Sequence, residues 1–91
     1  MAVLFPLGKL LATPGALSAL LQAKQSPTEF LAKHVTGDWG DLCAEDVTEN
    51  VYAVAHQLRI LSSYTTACGE RVWVITEADR SATTFLLPAE Y

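Results

Sequence analysis

The chain has 91 residues and a formal net charge of −4, and 51% of its residues are hydrophobic. This length corresponds to one domain, residues 1–91, and the apolar content argues against a disordered chain. The six lysine and arginine residues are scattered, whereas a nucleic-acid backbone is bound by clustered positive charge. We therefore expect one globular domain that does not bind nucleic acid directly.

The N-terminal residues and the two cysteines bear on where the protein resides. The first twelve residues are apolar, but they lack a basic start and are interrupted by Pro6, Gly8 and Lys9. They are also too short to span a bilayer. Cys43 and Cys68 match no metal-binding spacing, so we expect free thiols, with a disulfide as the alternative. The sequence predicts a cytoplasmic protein without a membrane segment.

The first predicted elements are a short edge strand or extended arm over residues 9–12 and two helices after it. Thr13-Pro14 and Ser26-Pro27 each place a hydroxyl N-cap before a proline in the first helical turn. Glu29 is spaced to complete a capping box with Ser26. The sequence predicts two helices joined by a tight corner.

A loop and a third helix follow. Gly37 is expected to end the second helix, and Trp39 is expected to fold back onto the core. Residues 44–58 have the spacing of an amphipathic helix, with acidic residues in the first turn that oppose the helix dipole. The predicted apolar stripe of this helix consists of Val47, Val51, Val54 and Leu58.

Residues 71–77, with the sequence RVWVITE, are the most β-prone segment of the chain. We predict that they form the middle strand of a three-stranded antiparallel meander, with residues 59–64 before it and residues 82–87 after it. Gly69 allows a hairpin turn between the first two strands. The predicted fold class is α+β: N-terminal helices followed by the meander, with helices on one face.

The middle strand is apolar on both sides. Val72, Val74 and Thr76 point to one face of the sheet, and Trp73 and Ile75 point to the other. Three helices cover one face well. The second face is therefore either covered by the N-terminal arm or open as a surface for a partner.

An acidic stretch suggests what kind of partner would bind. Five acidic residues fall within residues 38–49 without a basic residue among them, which favours a basic protein surface. Arg80 is a further candidate, because arginine is enriched as an anchor at interfaces. The candidate protein-binding residues are Asp38, Trp39, Asp41, Glu45, Asp46, Glu49, Trp73 and Arg80.

Two groups of residues have the composition of a metal or acid–base site. The first is His34 with Asp38 and Asp41, and the second is Glu77 with Asp79. For the first group, the structural alternative is a His34 at the edge of the core that donates to a loop carbonyl. For the second group, it is an ordinary salt-bridged turn. The chain has no phosphate-binding or dinucleotide-binding glycine loop and no HExxH. We predict no catalytic residue, no metal and no cofactor.

Several longer segments resemble a known group of proteins. Residues 34–42 (HVTGDWGDL), residues 72–84 (VWVITEADRSATT) and the ending LLPAEY are similar to motifs of a family of short bacterial proteins from plasmids, prophages and integrated elements. The resemblance extends from Thr13 to the end of the chain. Members are often labelled plasmid-related protein or type I restriction subunit M. The second label does not fit, because the chain lacks the glycine-rich loop and Asn-Pro-Pro-aromatic motif of a methyltransferase.

The resemblance implies a protein that serves a mobile genetic element. We expect a non-enzymatic protein-binding module whose partner is a host defence complex, as for inhibitors of the anti-CRISPR or anti-restriction type. One alternative is a structural or accessory module that forms a homodimer through an open strand edge. A second alternative is a small metal-dependent hydrolase that uses one of the two groups of residues above.

Overall fold

Three α-helices and a four-stranded sheet make up the computed structural model, which describes residues 3–91. None of the helices in this range is long and apolar enough to cross a membrane. The elements in chain order are β1 Lys9–Ala12, α1 Pro14–Ala23, α2 Pro27–Val35, α3 Ala44–His56, β2 Ile60–Thr65, β3 Arg71–Thr76, β4 Ala82–Leu86 and a 3₁₀ turn, Pro88–Glu90.

The strands lie in the order β1-β4-β3-β2. Strands β2, β3 and β4 form the predicted antiparallel meander, with β3 in the middle. The predicted edge strand is also present, but it adds a parallel pairing that the sequence did not indicate, with Lys9 beside Ala82. The sheet is therefore four-stranded and mixed instead of a three-stranded meander.

The starts of the first two helices are as predicted. Thr13 Oγ1 accepts a hydrogen bond from Ala16 N at 3.2 Å, and Ser26 Oγ accepts one from Thr28 N at 3.2 Å. The capping box is wrong, because the Glu29 carboxylate instead accepts a hydrogen bond from the Gln25 side chain. Each helix start is thus fixed by one hydroxyl.

The predicted stripe of α3 is wrong in part. Asn50 and Ala53 are buried, whereas Val51 is 61% exposed. The helix also ends earlier than predicted, because Gln57 takes a left-handed conformation with φ 55°. Asn50 turns inward because its amide bonds to β2 at both Leu61 N and Leu61 O. Val47 and Val54 of the predicted stripe still pack against the core, so the buried face of the helix includes only half of that stripe.

The core lies between the helices and one face of the sheet, in two clusters. Trp39 is 5% exposed and folds back onto the core as predicted. Phe5 packs in the same cluster as Trp39, with ring centroids 6.2 Å apart. The larger cluster under α1 and α2 contains Ala16, Ala19, Leu20, Phe30, Leu31, Tyr64, Val72, Val74 and Phe85, and the smaller one contains Phe5, Trp39, Ala53 and Ile60.

The second face of the sheet is covered in part by the C-terminal residues. Trp73 and Tyr91 meet edge to face with ring centroids 5.6 Å apart. The Glu90 carboxylate holds the 3₁₀ turn in place by accepting hydrogen bonds from Thr13 Oγ1 and Gly15 N, and its pKa is lowered mainly by the Thr13 hydroxyl. Of the two alternatives for this face, cover by the N-terminal arm is wrong for Phe5, because that side chain packs on the helix side.

Candidate protein-binding site

His34 projects from α2 and is fully buried. It belongs to a row of hydrogen bonds that reaches three strands. Its Nδ1 bonds to Ser62 Oγ on β2 and its Nε2 lies 2.9 Å from Thr76 Oγ1 on β3. Thr76 Oγ1 lies 2.7 Å from Thr83 Oγ1 on β4, which donates to Leu7 O. We call this set the His34 row. The expected bond to a loop carbonyl is wrong, because the strands place hydroxyl groups within closer reach.

The direction of each bond in the His34 row follows from its last member. A carbonyl oxygen only accepts, so the Thr83 hydroxyl donates to Leu7 O and must accept from the Thr76 hydroxyl. Thr76 Oγ1 therefore accepts from a protonated Nε2. Burial lowers the pKa of His34 to about 4, so the ring is neutral at pH 7 and Nδ1 accepts from Ser62. Neither ring nitrogen is available to a metal ion or a substrate.

The two aspartates proposed to act with His34 are exposed and have roles in the loop. Asp38 Oδ1 accepts a hydrogen bond from Gly40 N at 3.3 Å, and Asp41 Oδ2 accepts one from Thr65 Oγ1 at 2.8 Å. Between residues 3 and 91, no group of three or more His, Cys, Asp or Glu side chains is arranged to hold a metal ion. The structure does not bring His34 together with these carboxylates.

Arg80 is engaged inside the molecule. Its Nη1 donates to Leu58 O at 2.7 Å and its Nη2 donates to Ala53 O at 3.0 Å, both at the end of α3. Nη1 also bonds to the carbonyls of Glu77 and Ala78 in its own turn. The guanidinium thus fastens the β3–β4 turn to the end of α3 through backbone carbonyls, in place of the salt-bridged turn that was expected.

Other candidate residues do meet, on a surface centred on Arg59. Three adjoining hollows share Arg59, and the largest, about 390 Å³, extends along α3 past Glu49 and Tyr52. Arg59 Nη2 donates to Tyr91 Oη at 2.7 Å, and the guanidinium lies 5.6 Å from the centre of that ring. We call this surface the Arg59 face. It consists of Asp46, Glu49, Tyr52, Leu58, Arg59, Leu61, Trp73, Ile75 and Tyr91.

The Arg59 face combines exposed apolar groups with carboxylates. Tyr52, Leu58 and Tyr91 are 57%, 47% and 67% exposed. Asp46, Glu49 and Tyr52 follow one another at a spacing of three residues, so they lie on the same side of α3. Both carboxylates are exposed. Tyrosine, tryptophan and arginine are the side chains most enriched at the centres of protein interfaces. The arrangement therefore has the composition of a protein-binding surface.

The structure divides the predicted binding residues into three groups. Asp46, Glu49 and Trp73 line the Arg59 face. The other three acidic residues, Asp38, Asp41 and Glu45, are exposed but do not line its hollows. The last two, Trp39 and Arg80, have side chains that are buried in the core or bonded internally.

Sequence reasoning missed the residue at the centre of the Arg59 face. Arg59 was placed only among the scattered basic residues and at the start of the first predicted strand of the meander, and Tyr91 only in the ending LLPAEY. The available signal was weak: a basic residue at the start of a predicted strand, and an aromatic residue after the proline that ends the last strand. Their contact depends on the C-terminal turn folding back across β3, and no local pattern indicates that.

Comparisons with known proteins add no family to this description. No protein-family model matches the chain, and no match was found among curated proteins or among solved structures. The motif resemblance to short plasmid and prophage proteins remains a prediction.

Proposed function

We propose that this chain is a non-enzymatic protein-binding module that docks through the Arg59 face. The observation that carries the proposal is the placement of two exposed tyrosines and Leu58 beside the Asp46 and Glu49 carboxylates. An apolar patch rimmed by charged groups is typical of a surface that binds protein. The tyrosines supply contact area at low cost in side-chain entropy.

The charge of this surface favours a basic partner. Asp46 and Glu49 lie on the outer side of α3, and the chain as a whole carries a net charge of −4. Carboxylates at the rim of an interface steer a positively charged partner and raise its association rate. Arg59, already held by Tyr91, offers a pre-positioned guanidinium at the centre. The matching surface on the partner combines apolar groups with a hydrogen-bond acceptor for Arg59 in the middle, and carries lysine or arginine at its rim.

The proposed partner is a host defence complex. Such complexes bind DNA or RNA on basic surfaces, and an acidic protein that covers one of them blocks nucleic-acid binding. The motif resemblance to proteins of mobile genetic elements supports this choice of partner. The proposed function is therefore inhibition of the anti-CRISPR or anti-restriction type.

A plating assay on phage tests this function with a matched pair of charge reversals. Cells with a defined CRISPR or restriction system receive the wild-type gene, the Glu49→Lys variant or the Glu70→Lys variant. Both variants change the net charge equally at an exposed position, but Glu70 lies in the β2–β3 hairpin away from the Arg59 face. We expect the wild type and Glu70→Lys to restore plating, and Glu49→Lys to reduce that effect by about tenfold or more.

Two outcomes would contradict the proposal. One is no effect of the wild-type gene on plating against any of the defence systems. The other is an equal loss in Glu49→Lys and Glu70→Lys, which would mean that net charge matters and the Arg59 face does not. The alternative function, a dimerising structural or accessory module, is favoured by a separate observation on β1.

A further inference from the structure

The two outer edges of the sheet differ in how their backbone groups are satisfied. On the β2 edge, Asn50 donates to Leu61 O and accepts from Leu61 N. The loop before α3 continues the pairing, since Ser63 N donates to Trp39 O and Asp41 N donates to Ser63 O. A helix side chain and a loop therefore close the β2 edge to other strands.

The β1 edge has no such cover among residues 3–91. Lys9 N donates to Ser81 O and Thr13 N donates to Phe85 O, so alternate residues of this strand face β4. The backbone groups of Leu10 and Ala12 therefore point away from the sheet. Leu10 and Leu11 are 55% and 45% exposed. Lys9 is the only charged residue in the strand, and no proline or bulge interrupts it.

We infer that β1 pairs antiparallel with β1 of a second copy of this chain, about a twofold axis at Leu11. Under this symmetry Leu10 of each copy lies opposite Ala12 of the other. Directly opposite residues whose groups point toward each other exchange both backbone hydrogen bonds. The outward groups of Leu10 and Ala12 are thus satisfied by their own counterparts, and the two sheets become continuous.

The side chains fit this register. A large Leu10 meets a small Ala12 on the helix side of the sheet, where Leu10 borders an apolar hollow with Leu31 and Phe85. On the other side Leu11 meets its own copy across the axis, where opposite side chains come closest. Lys9 lies opposite Thr13, so no like charges are paired. A second copy therefore covers both exposed leucines and needs no other chain.

The contact is small, so the association depends on concentration. One four-residue strand from each copy gives an interface below the roughly 1,200 Å² of a stable complex. Sedimentation equilibrium across the micromolar to millimolar range is the appropriate measurement. We expect the average mass to rise from that of the 9.9 kDa chain toward twice that value.

Two edge variants and one control locate the contact. Leu11→Glu places like charges together at the axis, and Ala12→Pro removes an outward N–H, a position where an edge strand tolerates proline. We expect each to raise the dissociation constant by about tenfold or more. Leu21→Glu removes a leucine that is 78% exposed on α1 and should leave the mass curve unchanged. Circular dichroism melts verify that each variant is folded.

Amide exchange supplies a second readout that does not depend on a variant. The Leu10 and Ala12 amides point outward, so they should exchange quickly in dilute samples and at least about tenfold more slowly in concentrated ones. The inference is overturned if the wild type stays monomeric at every concentration. It is also overturned if Leu11→Glu associates as the wild type does, or if the two amides show no change. Each of these results leaves the Arg59 face and its plating assay unaffected.

Discussion

At the scale of single residues, Ser62 and Ser63 show how much one hydroxyl depends on its side of the strand. Both are buried, at 0% and 2% exposure. Ser62 donates to His34 at the end of the His34 row. Ser63 points to the opposite face, and its Oγ has no hydrogen-bond partner among the described residues. Two neighbours of the same type therefore make opposite contributions to stability.

Alanine substitutions at these two serines are expected to differ in sign. Ser62→Ala leaves His34 Nδ1 buried without a donor, which should lower the free energy of unfolding by about 1 to 3 kcal/mol. Ser63→Ala removes a buried hydroxyl that has no partner, so stability should stay equal or rise by up to about 1 kcal/mol. Urea denaturation measures both, with each serine as the control for the other. Equal losses in the two variants would contradict the assignment of the His34 row.

The sequence indicated the position of His34 but not its partners. Its spacing from Phe30 places it at the edge of the core face of α2, whereas the structure buries it completely. Its two hydroxyl partners lie 28 and 42 residues away along the chain. Contacts at such separations depend on strand order and register. The sequence predicted the order of the meander strands but not which residues lie opposite each other.

At the scale of secondary-structure elements, the N-cap signals were reliable, whereas the capping box and the contacts between elements were not. Thr13 and Ser26 act as N-caps because the hydroxyl, the proline and the bonded amide lie within three residues. The buried face of α3 was mispredicted because Asn50 satisfies the edge of β2. The pairing of β1 with β4 was missed because it joins segments near opposite ends of the chain, and neither segment alone indicates its partner.

Replacement of Asn50 by leucine tests its role at the β2 edge. Asn50→Leu keeps the side-chain size but leaves Leu61 N and O without partners, and should lower the free energy of unfolding by about 2 kcal/mol. The Leu61 amide should also exchange faster with solvent. Thr48→Ala is the control, because the Thr48 hydroxyl donates to Ala44 O in its own helix. An unchanged Leu61 exchange rate in Asn50→Leu would contradict this role.

At the scale of the whole molecule, one buried titratable group makes stability depend on pH. Burial lowers the pKa of His34 from 6.5 to about 4 in the folded protein. Between these values the unfolded chain binds a proton that the folded protein does not. The stability from a neutral His34 is therefore complete above pH 6.5 and is lost as the pH falls toward 4.

This loss can be isolated with a variant that does not titrate. The wild type should lose about 2 to 3 kcal/mol more than His34→Gln when the pH falls from about 7.5 to about 4.5. Urea denaturation at the two pH values measures the difference, and subtraction of the variant removes the contribution of the carboxylates. Equal pH dependence in the two proteins would show that His34 titrates normally when folded.

The sequence predicted the fold class better than it predicted the candidate site. The α+β class and the meander follow from patterns within each segment. The Arg59 face draws its members from α3, the start of β2, the middle of β3 and the C-terminal residues. Three of the eight predicted binding residues lie on it: Asp46 and Glu49 from the acidic pattern, and Trp73 from the alternation along β3. Arg59 and Tyr91 were missed because only weak local signals mark them.

The His34 row also bears on how β3 is aligned in the sheet. One imidazole is linked to a hydroxyl from each strand of the meander: Ser62, Thr76 and, through Thr76, Thr83. A slip of β3 by one position would turn Thr76 to the opposite side and bring Ile75 or Glu77 under α2. Neither side chain can both accept from His34 Nε2 and donate to Thr83, as the Thr76 hydroxyl does. The hydrogen bonds therefore favour the observed register of β3 over the two adjacent ones.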